Sequence, residues 1–363
     1  MRVTYAHMGT STFVFKTMLS ELGYDVVVPS RPTAQTLSLG VQYAPEFACI
    51  PFKLVLGTYL ENVPRGVDLI VSAGGFGPCR AGFYGEMHRR ILKEMGYNPQ
   101  FIFFFPPFKK TRDFIKKILE LKKGGSWTDF YRALRLGLAK LRAVDDVEIK
   151  SHEIRAREFK QGDTSRSFRR GLQYLDQARD LQEIQEAHRE AIQDLDRVTI
   201  DPEFQPLRVG IVGEIYVQLE PAANFYLEET LGHMGVIPRR TIFLTSFARH
   251  DVIAHGEKEA KERARPYIPL VIGGHGQNSV GDVVHFAEMG YNGVVQLAPF
   301  TCIPEIVAKS IMPHLSRVKG IPVLTFFIDE QTGQAGVETR LEAFVDLMDP
   351  QSRTIPSEKD RTG

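Results

Sequence analysis

The sequence predicts an α/β protein: two flavodoxin- or Rossmann-like, doubly wound parallel-sheet domains with a helical insert. Three observations predict it. Several short runs are apolar at every position, as strands covered on both faces are. The order strand, loop, helix, Gly, strand starts at Arg2 and returns at Arg208, about two hundred residues later. Between the two copies the pattern turns helical and highly charged. The chain has 363 residues, 43% hydrophobic and 25% charged, with a net charge of +1. That length accommodates two domains of roughly 150 residues each. The composition excludes a disulfide mini-protein, a disordered chain and a collagen-like repeat, and the near-zero charge argues against a general nucleic-acid binder. No apolar run reaches the roughly 18–20 residues that cross a bilayer, and Met1–Thr10 has no signal pattern, so a soluble cytoplasmic protein is expected, with no membrane partner.

The elements follow in order. An apolar segment, Arg2–Met8, leads through a turn at Gly9–Thr12 into a helical pattern at Phe13–Leu22; Gly23 closes it and a strand at Asp25–Pro29 follows. Val67–Ser72, ending in Gly74-Gly75, and Phe101–Phe105, ending in Pro106-Pro107, are the next strands. In the second half Arg208–Val212 is a strand, Gly213–Pro221 a loop and Ala222–Met234 a helix ended by Gly235. Ile268–Ile272, Gly293–Leu297 and Pro322–Ile328 supply further strands, with Val280–Met289 and Pro304–Val318 as crossover helices. The middle contributes two long amphipathic helices, Trp127–Leu141 and Phe168–Leu195. Its charge reads first as a solvated face and second as a docking surface for an acidic partner. The expected division is 1–108, 109–206 and 207–348, with a frayed tail over 349–363.

The three cysteines carry the most chemical information. Cys49 lies in Pro45-Glu46-Phe47-Ala48-Cys49-Ile50-Pro51, directly before a helix-like stretch. Cys79 lies in Gly74-Gly75-Phe76-Gly77-Pro78-Cys79, just past one strand, and Cys302 in Ala298-Pro299-Phe300-Thr301-Cys302, just past another. All three sit in Pro- or Gly-rich loops, not in the apolar runs that hold core thiols. Loops at the carboxyl ends of strands form the ligand crevice of a doubly wound sheet, so two facing halves would bring Cys79 and Cys302 together. Cys49 would join them at a helix N-terminus, where backbone N–H groups favour a thiolate. Three convergent thiolates suit an iron–sulfur cluster or zinc. Structural zinc usually takes four ligands with close-spaced pairs, whereas these spacings are thirty residues and then more than two hundred. The cluster reading therefore leads, with unrelated buried thiols and zinc behind it.

Four stretches, PEFACIPFKLVLGTYLE, GVDLIVSAGGFGPCRAGFYGEMHR, GGHGQNSVGDVVHFAEMGYNGVVQLAPFTCIPE and IPVLTFFIDEQTGQAGVETRLEAF, resemble the 2-hydroxyacyl-CoA dehydratase and benzoyl-CoA reductase superfamily. Within it they are most similar to the activase-associated branch related to double-cubane cluster proteins. The resemblance implies two flavodoxin-like domains with one [4Fe-4S] cluster between them, held by Cys49, Cys79 and Cys302. It also implies a separate ATPase activase as electron donor, a small-molecule substrate and a dimer. Three cysteines cannot hold a double cubane, and no CoA signature stands out. The function so implied is a low-potential reductase or dehydratase-like enzyme, the alternative being a non-catalytic electron-transfer or cluster-carrying accessory protein.

The remaining candidates are weaker. His7, Glu214 and His275 each follow a predicted strand and could donate a proton or a hydrogen bond in the cleft. Arg80 and Lys53 adjoin cysteines and would offset cluster charge, or else are ordinary surface bases. Arg340 is expected to pair with a carboxylate. No P-loop pattern occurs, and Gly74-Gly75-Phe76-Gly77 and Gly273-Gly274-His275-Gly276 lack the dinucleotide spacing, so they read as tight turns.

Overall fold

The computed structural model describes residues 1–73, 79–104, 111–122, 125–246 and 257–349. The Gly74–Pro78 loop, the Phe105–Pro107 strand end and most of the expected tail lie outside the described residues. Strands β1 (Arg2–Tyr5), β2 (Asp25–Val26), β3 (Leu69–Ala73) and β4 (Gln100–Phe104) form one parallel sheet in the order β2-β1-β3-β4. Strands β5 (Leu207–Gly213), β6 (Val236–Arg240), β7 (Gly293–Pro299) and β8 (Val323–Ile328) form a second in the matching order β6-β5-β7-β8. The chain thus contains two α/β parallel-sheet domains. In each the strand order reverses between the first and third strands, which opens the crevice where ligands bind.

In the first half the helices are α1 (Thr12–Glu21), α2 (Ala34–Tyr43), α3 (Ile50–Asn62) and α4 (Ala81–Glu94). The middle holds α5 (Thr111–Lys122), α6 (Trp127–Arg155), α7 (Asp163–Gln177) and α8 (Leu181–Asp196). The second half adds α9 (Ile215–Leu219), α10 (Leu227–His233), α11 (Leu244–Ser246), α12 (Glu257–Ala264), α13 (Gly276–Glu288), α14 (Ile303–Lys319) and α15 (Gln334–Met348).

Helix α3, IPFKLVLGTYLEN, is apolar on all sides and buried along nearly its whole length. A helix with that pattern belongs inside a protein. Phe52, Leu56, Tyr59 and Leu60 pack in the core of the first half, while Ile50 and Leu54 join Val209, Ile211, Val295 and Leu297 in the core of the second. The two sheets therefore share one internal helix.

Four sequence expectations need correction. Ile268–Ile272 is not a strand: Ile268 is buried, but Leu270 and Val271 are 73% and 81% exposed. One anchored side chain gives a short apolar run without any pairing. The expected helix Ala222–Met234 shrinks to α10 because Phe225 and Tyr226 adopt left-handed backbone, and α9 forms inside the expected loop. The long Phe168–Leu195 helix is two, since Asp180 caps α8 by accepting from the N–H groups of Gln182 and Glu183. The Trp127–Leu141 helix runs on to Arg155, opened by a Ser126–Asp129 capping box. Among the described residues no helix is long and apolar enough to cross a membrane.

Candidate functional site

Cys49 and Cys302 occupy the same local position in different halves. Each is the N-cap of a helix, α3 and α14, and each opens the tripeptide Cys-Ile-Pro. Proline in a first turn sacrifices no intrahelical bond, because N–H groups there have no carbonyl to meet. Neither cysteine caps its helix with its side chain, which leaves both sulfurs to other partners. Cys79 lies between β3 and α4, at the carboxyl end of the first sheet.

The three loops meet at Arg80. Its Nη1 donates to the Phe47 carbonyl at 3.1 Å and its Nη2 to the Thr301 carbonyl at 2.5 Å. Thr301 Oγ1 donates to the same Phe47 carbonyl at 3.1 Å. One guanidinium next to Cys79 therefore ties down the peptides just before Cys49 and Cys302. Gly274, with φ of +51°, completes the approach from the second half: a Cβ there would lie 2.9 Å from Pro304 and 3.8 Å from Cys79 Sγ. Cys49 lies within electrostatic reach of both Cys79 and Cys302.

Burial raises the pKa of all three thiols, Cys49 to about 11 and Cys302 further, and Glu214 adds to the rise in each. The helix-terminus thiolate expected at Cys49 is thus overruled, because desolvation outweighs the field of the helix end. The Tyr84 hydroxyl lies 2.8 Å from Cys49 Sγ, placed to donate to an ionised sulfur. Among the described residues, the one trio of His, Cys, Asp or Glu donor atoms all within 4.8 Å of one another is Glu148, His152 and Glu228. At least one pair of the three cysteine sulfurs is therefore more than 4.8 Å apart.

Glu214 ends β5 and caps α9, accepting from the Val217 N–H at 2.9 Å. Burial lifts its pKa to about 7. Glu305, three residues past Cys302, is fully buried and is also lifted to about 7 by burial; it accepts from Ser279 Oγ and Gln296 Nε2. No role was expected of Glu305 or Tyr84 from sequence, although each sits within five residues of a cysteine in the quoted stretches.

His7 is held away from such work. Its Nδ1 lies 2.5 Å from Oε2 of the fully buried Glu220, so it joins the two halves. His275 is the N-cap residue of α13, and burial depresses it to about 4; it is neutral near pH 7 and offers no imidazolium proton. Lys53 is no surface base. It is buried and donates to Glu330 Oε1 at 2.7 Å across the halves. Arg340 donates to the Thr325 carbonyl at 2.8 Å and stacks over Phe326 in place of the expected carboxylate partner.

Residues 6–240 match a family model described as the CoA enzyme activase uncharacterised domain (DUF2229). The matched span contains Cys49, Cys79 and Glu214 and stops before Cys302. No curated protein matches the chain.

Proposed function

The chain belongs to the CoA enzyme activase uncharacterised-domain family, and from that premise we propose that it is an iron–sulfur protein of an activase-linked reductase or dehydratase-like system. Cys49, Cys79 and Cys302 hold one [4Fe-4S] cluster between the two α/β halves. The single observation that supports this best is the Arg80 junction, which gathers three cysteine loops from distant parts of the chain. When bound, such a cluster supplies low-potential one-electron chemistry.

The chain's own groups serve that chemistry in definable ways. Metal binding removes the proton from a coordinating thiol, so loading this pocket releases protons that burial otherwise keeps on the three sulfurs. The Tyr84 hydroxyl donates to Cys49 Sγ, and hydrogen bonds to ligand sulfur tune the potential. Cys49 and Cys302 are both buried, so little water reaches their sulfurs. Beside the cysteines, Phe47, Phe83, Phe300 and Ile303 are more than half exposed. Large exposed apolar groups mark surfaces that a partner covers, and an ATP-driven electron donor is the partner this reading requires.

Protein purified without oxygen is expected to be brown, to contain about four irons and four sulfides per chain, and to give a paramagnetic resonance signal on reduction. Folded, iron-free protein that takes up no iron and sulfide in reconstitution would end the proposal.

A further inference from the structure

Over the whole chain 45 lysines and arginines are balanced by 44 aspartates and glutamates, but the balance fails in one place. Helix α5, together with α6 as far as Arg142, carries eight Lys or Arg against three Asp or Glu. Of those three acids, Glu120 pairs with Lys117 and Asp129 closes the cap of α6. Arg132 reaches Glu21, and Lys140 is buried. Arg112, Lys116, Arg135 and Arg142 are exposed and have no carboxylate partner among the described residues. Arg112 and Lys116 are four residues apart, Arg135 and Arg142 seven apart, so each pair shares a helix face.

An apolar stripe accompanies each pair. On α5 Ile115 and Leu119 are exposed, with Lys122 next on that face; on α6 Trp127, Tyr131 and Leu134 are exposed at i, i+4 and i+7. Trp127 and Tyr131 are 58% and 64% exposed. Lys122 Nζ lies 5.1 Å from the centre of the Trp127 ring, which joins the two stripes into one surface. The fold does not need these side chains, because the inner faces of both helices are already occupied. Phe114 meets Phe104 of β4 edge-on at 5.9 Å, the Leu121 carbonyl accepts from the Tyr24 hydroxyl at 2.8 Å, and Leu136 and Leu141 are buried.

Lone exposed apolar residues are ordinary, but a contiguous stripe flanked by unpaired charge of one sign marks a docking surface. We propose that this face of α5 and α6 binds an acidic amphipathic helix of a partner protein. The partner's apolar stripe lies on Ile115, Leu119, Trp127, Tyr131 and Leu134, and its carboxylates meet the four flanking cations. Trp, Tyr and Arg are the side chains that dominate protein interfaces. Three of those four cations are arginines, whose forks pair with fixed carboxylates in two bonds; a diffuse lipid charge would be served as well by lysine. No cysteine belongs to this face, so the inference stands apart from the cluster reading.

Trp127 is the chain's only tryptophan, so its emission reports this surface alone. The whole chain is titrated with a tryptophan-free peptide of Glu, Ala and Leu, about five helical turns long, its Leu repeating at i, i+3, i+4 and i+7. The same peptide with Lys for Glu, and vesicles of phosphatidylserine and phosphatidylcholine, are titrated in parallel. The acidic peptide is expected to shift the emission to the blue, saturably, and to bind about tenfold more weakly when salt rises from about 0.05 to about 0.5 M. Tyr131→Ser with Leu134→Ser should weaken that binding about 30-fold, and Arg135→Glu with Arg142→Glu should turn the preference toward the Lys peptide. All four positions are exposed, and circular dichroism verifies folding. No blue shift with the acidic peptide, equal binding of both peptides, or an unchanged preference after the charge reversal overturns the proposal. A shift produced by the vesicles alone overturns it in favour of a membrane surface.

Discussion

At Cys49 two effects oppose each other: a helix N-terminus favours a thiolate, and an apolar surround disfavours one. Desolvation dominates, raising the thiol to about 11. Cys49 is thus held as a thiol, and a cation bound as proposed would be what draws off its proton. Arg80 sets where the cysteine loops stand, since its rigid fork reaches two carbonyls at once. An ammonium cannot reproduce that geometry. Arg80→Ala is expected to cost about 2 kcal/mol and Arg80→Lys to recover less than half of it, as read from urea unfolding. Iron binding should fall in the same order. Wild-type stability in Arg80→Ala would show that the junction does not hold the loops. The cysteine positions themselves were legible from sequence, because thiols in loops after strands contrast with thiols in apolar runs. The burial of Lys53 and the bond from Arg80 to Thr301 were not, because each depends on a residue more than two hundred positions away.

Among the elements, α6 shows how the helical middle is fastened. Its Glu148 accepts from Arg240 Nη2 of β6 at 2.6 Å, and Glu228 of α10 lies 3.1 Å from Arg240 Nε. His152, one turn past Glu148, shares the cluster, and burial keeps it far below its ordinary pKa. These are the three donors whose spacing would suit a single ion, but the Arg240 guanidinium already pairs with both carboxyl groups. Removing one partner of a buried ion network strands the others. Arg240→Ala is therefore expected to cost about 3–5 kcal/mol at pH 7. The stranded carboxyls take up protons in the folded state, so the penalty should shrink as pH falls and grow as it rises. Adding Glu148→Gln and Glu228→Gln should return part of the loss. Unfolding curves across pH check this, and an Arg240→Ala protein as stable as wild type contradicts it. Sequence periodicity located these helices and misjudged their ends. Caps such as Asp180 and left-handed residues such as Phe225 and Tyr226 set the breaks, and neither interrupts the apolar pattern. The Ile268–Ile272 run misled for the opposite reason, since apolarity without pairing partners does not make a strand.

Across the whole molecule, the pocket exists only if the two sheets hold one fixed relation, and the contacts between them are specific. Gly9, at φ of +52°, lets the first half approach so closely that a Cβ would lie 2.2 Å from the Leu219 carbonyl oxygen. At that seam Glu220, fully buried, receives the Gly9 N–H at 2.9 Å and His7 Nδ1 at 2.5 Å. Lys53 and Glu330 make a second link, and α3 runs through both cores. Because α3 unites the apolar interiors, the halves should unfold as one unit, and Glu220 should decide how tightly they are coupled. Glu220→Ala leaves the Gly9 N–H and His7 without their acceptor in a place water does not reach. The expected loss is about 3 kcal/mol. In the wild type, amides of β1 and β3 should exchange with solvent at the same opening free energy as those of β5 and β7. In Glu220→Ala the first sheet should open at lower free energy than the second, and iron binding should weaken although every cysteine is intact. Hydrogen exchange resolved to the strands distinguishes the cases. A single shared opening energy at the wild-type value would mean that α3 alone couples the sheets and that the buried carboxylate at the seam does not.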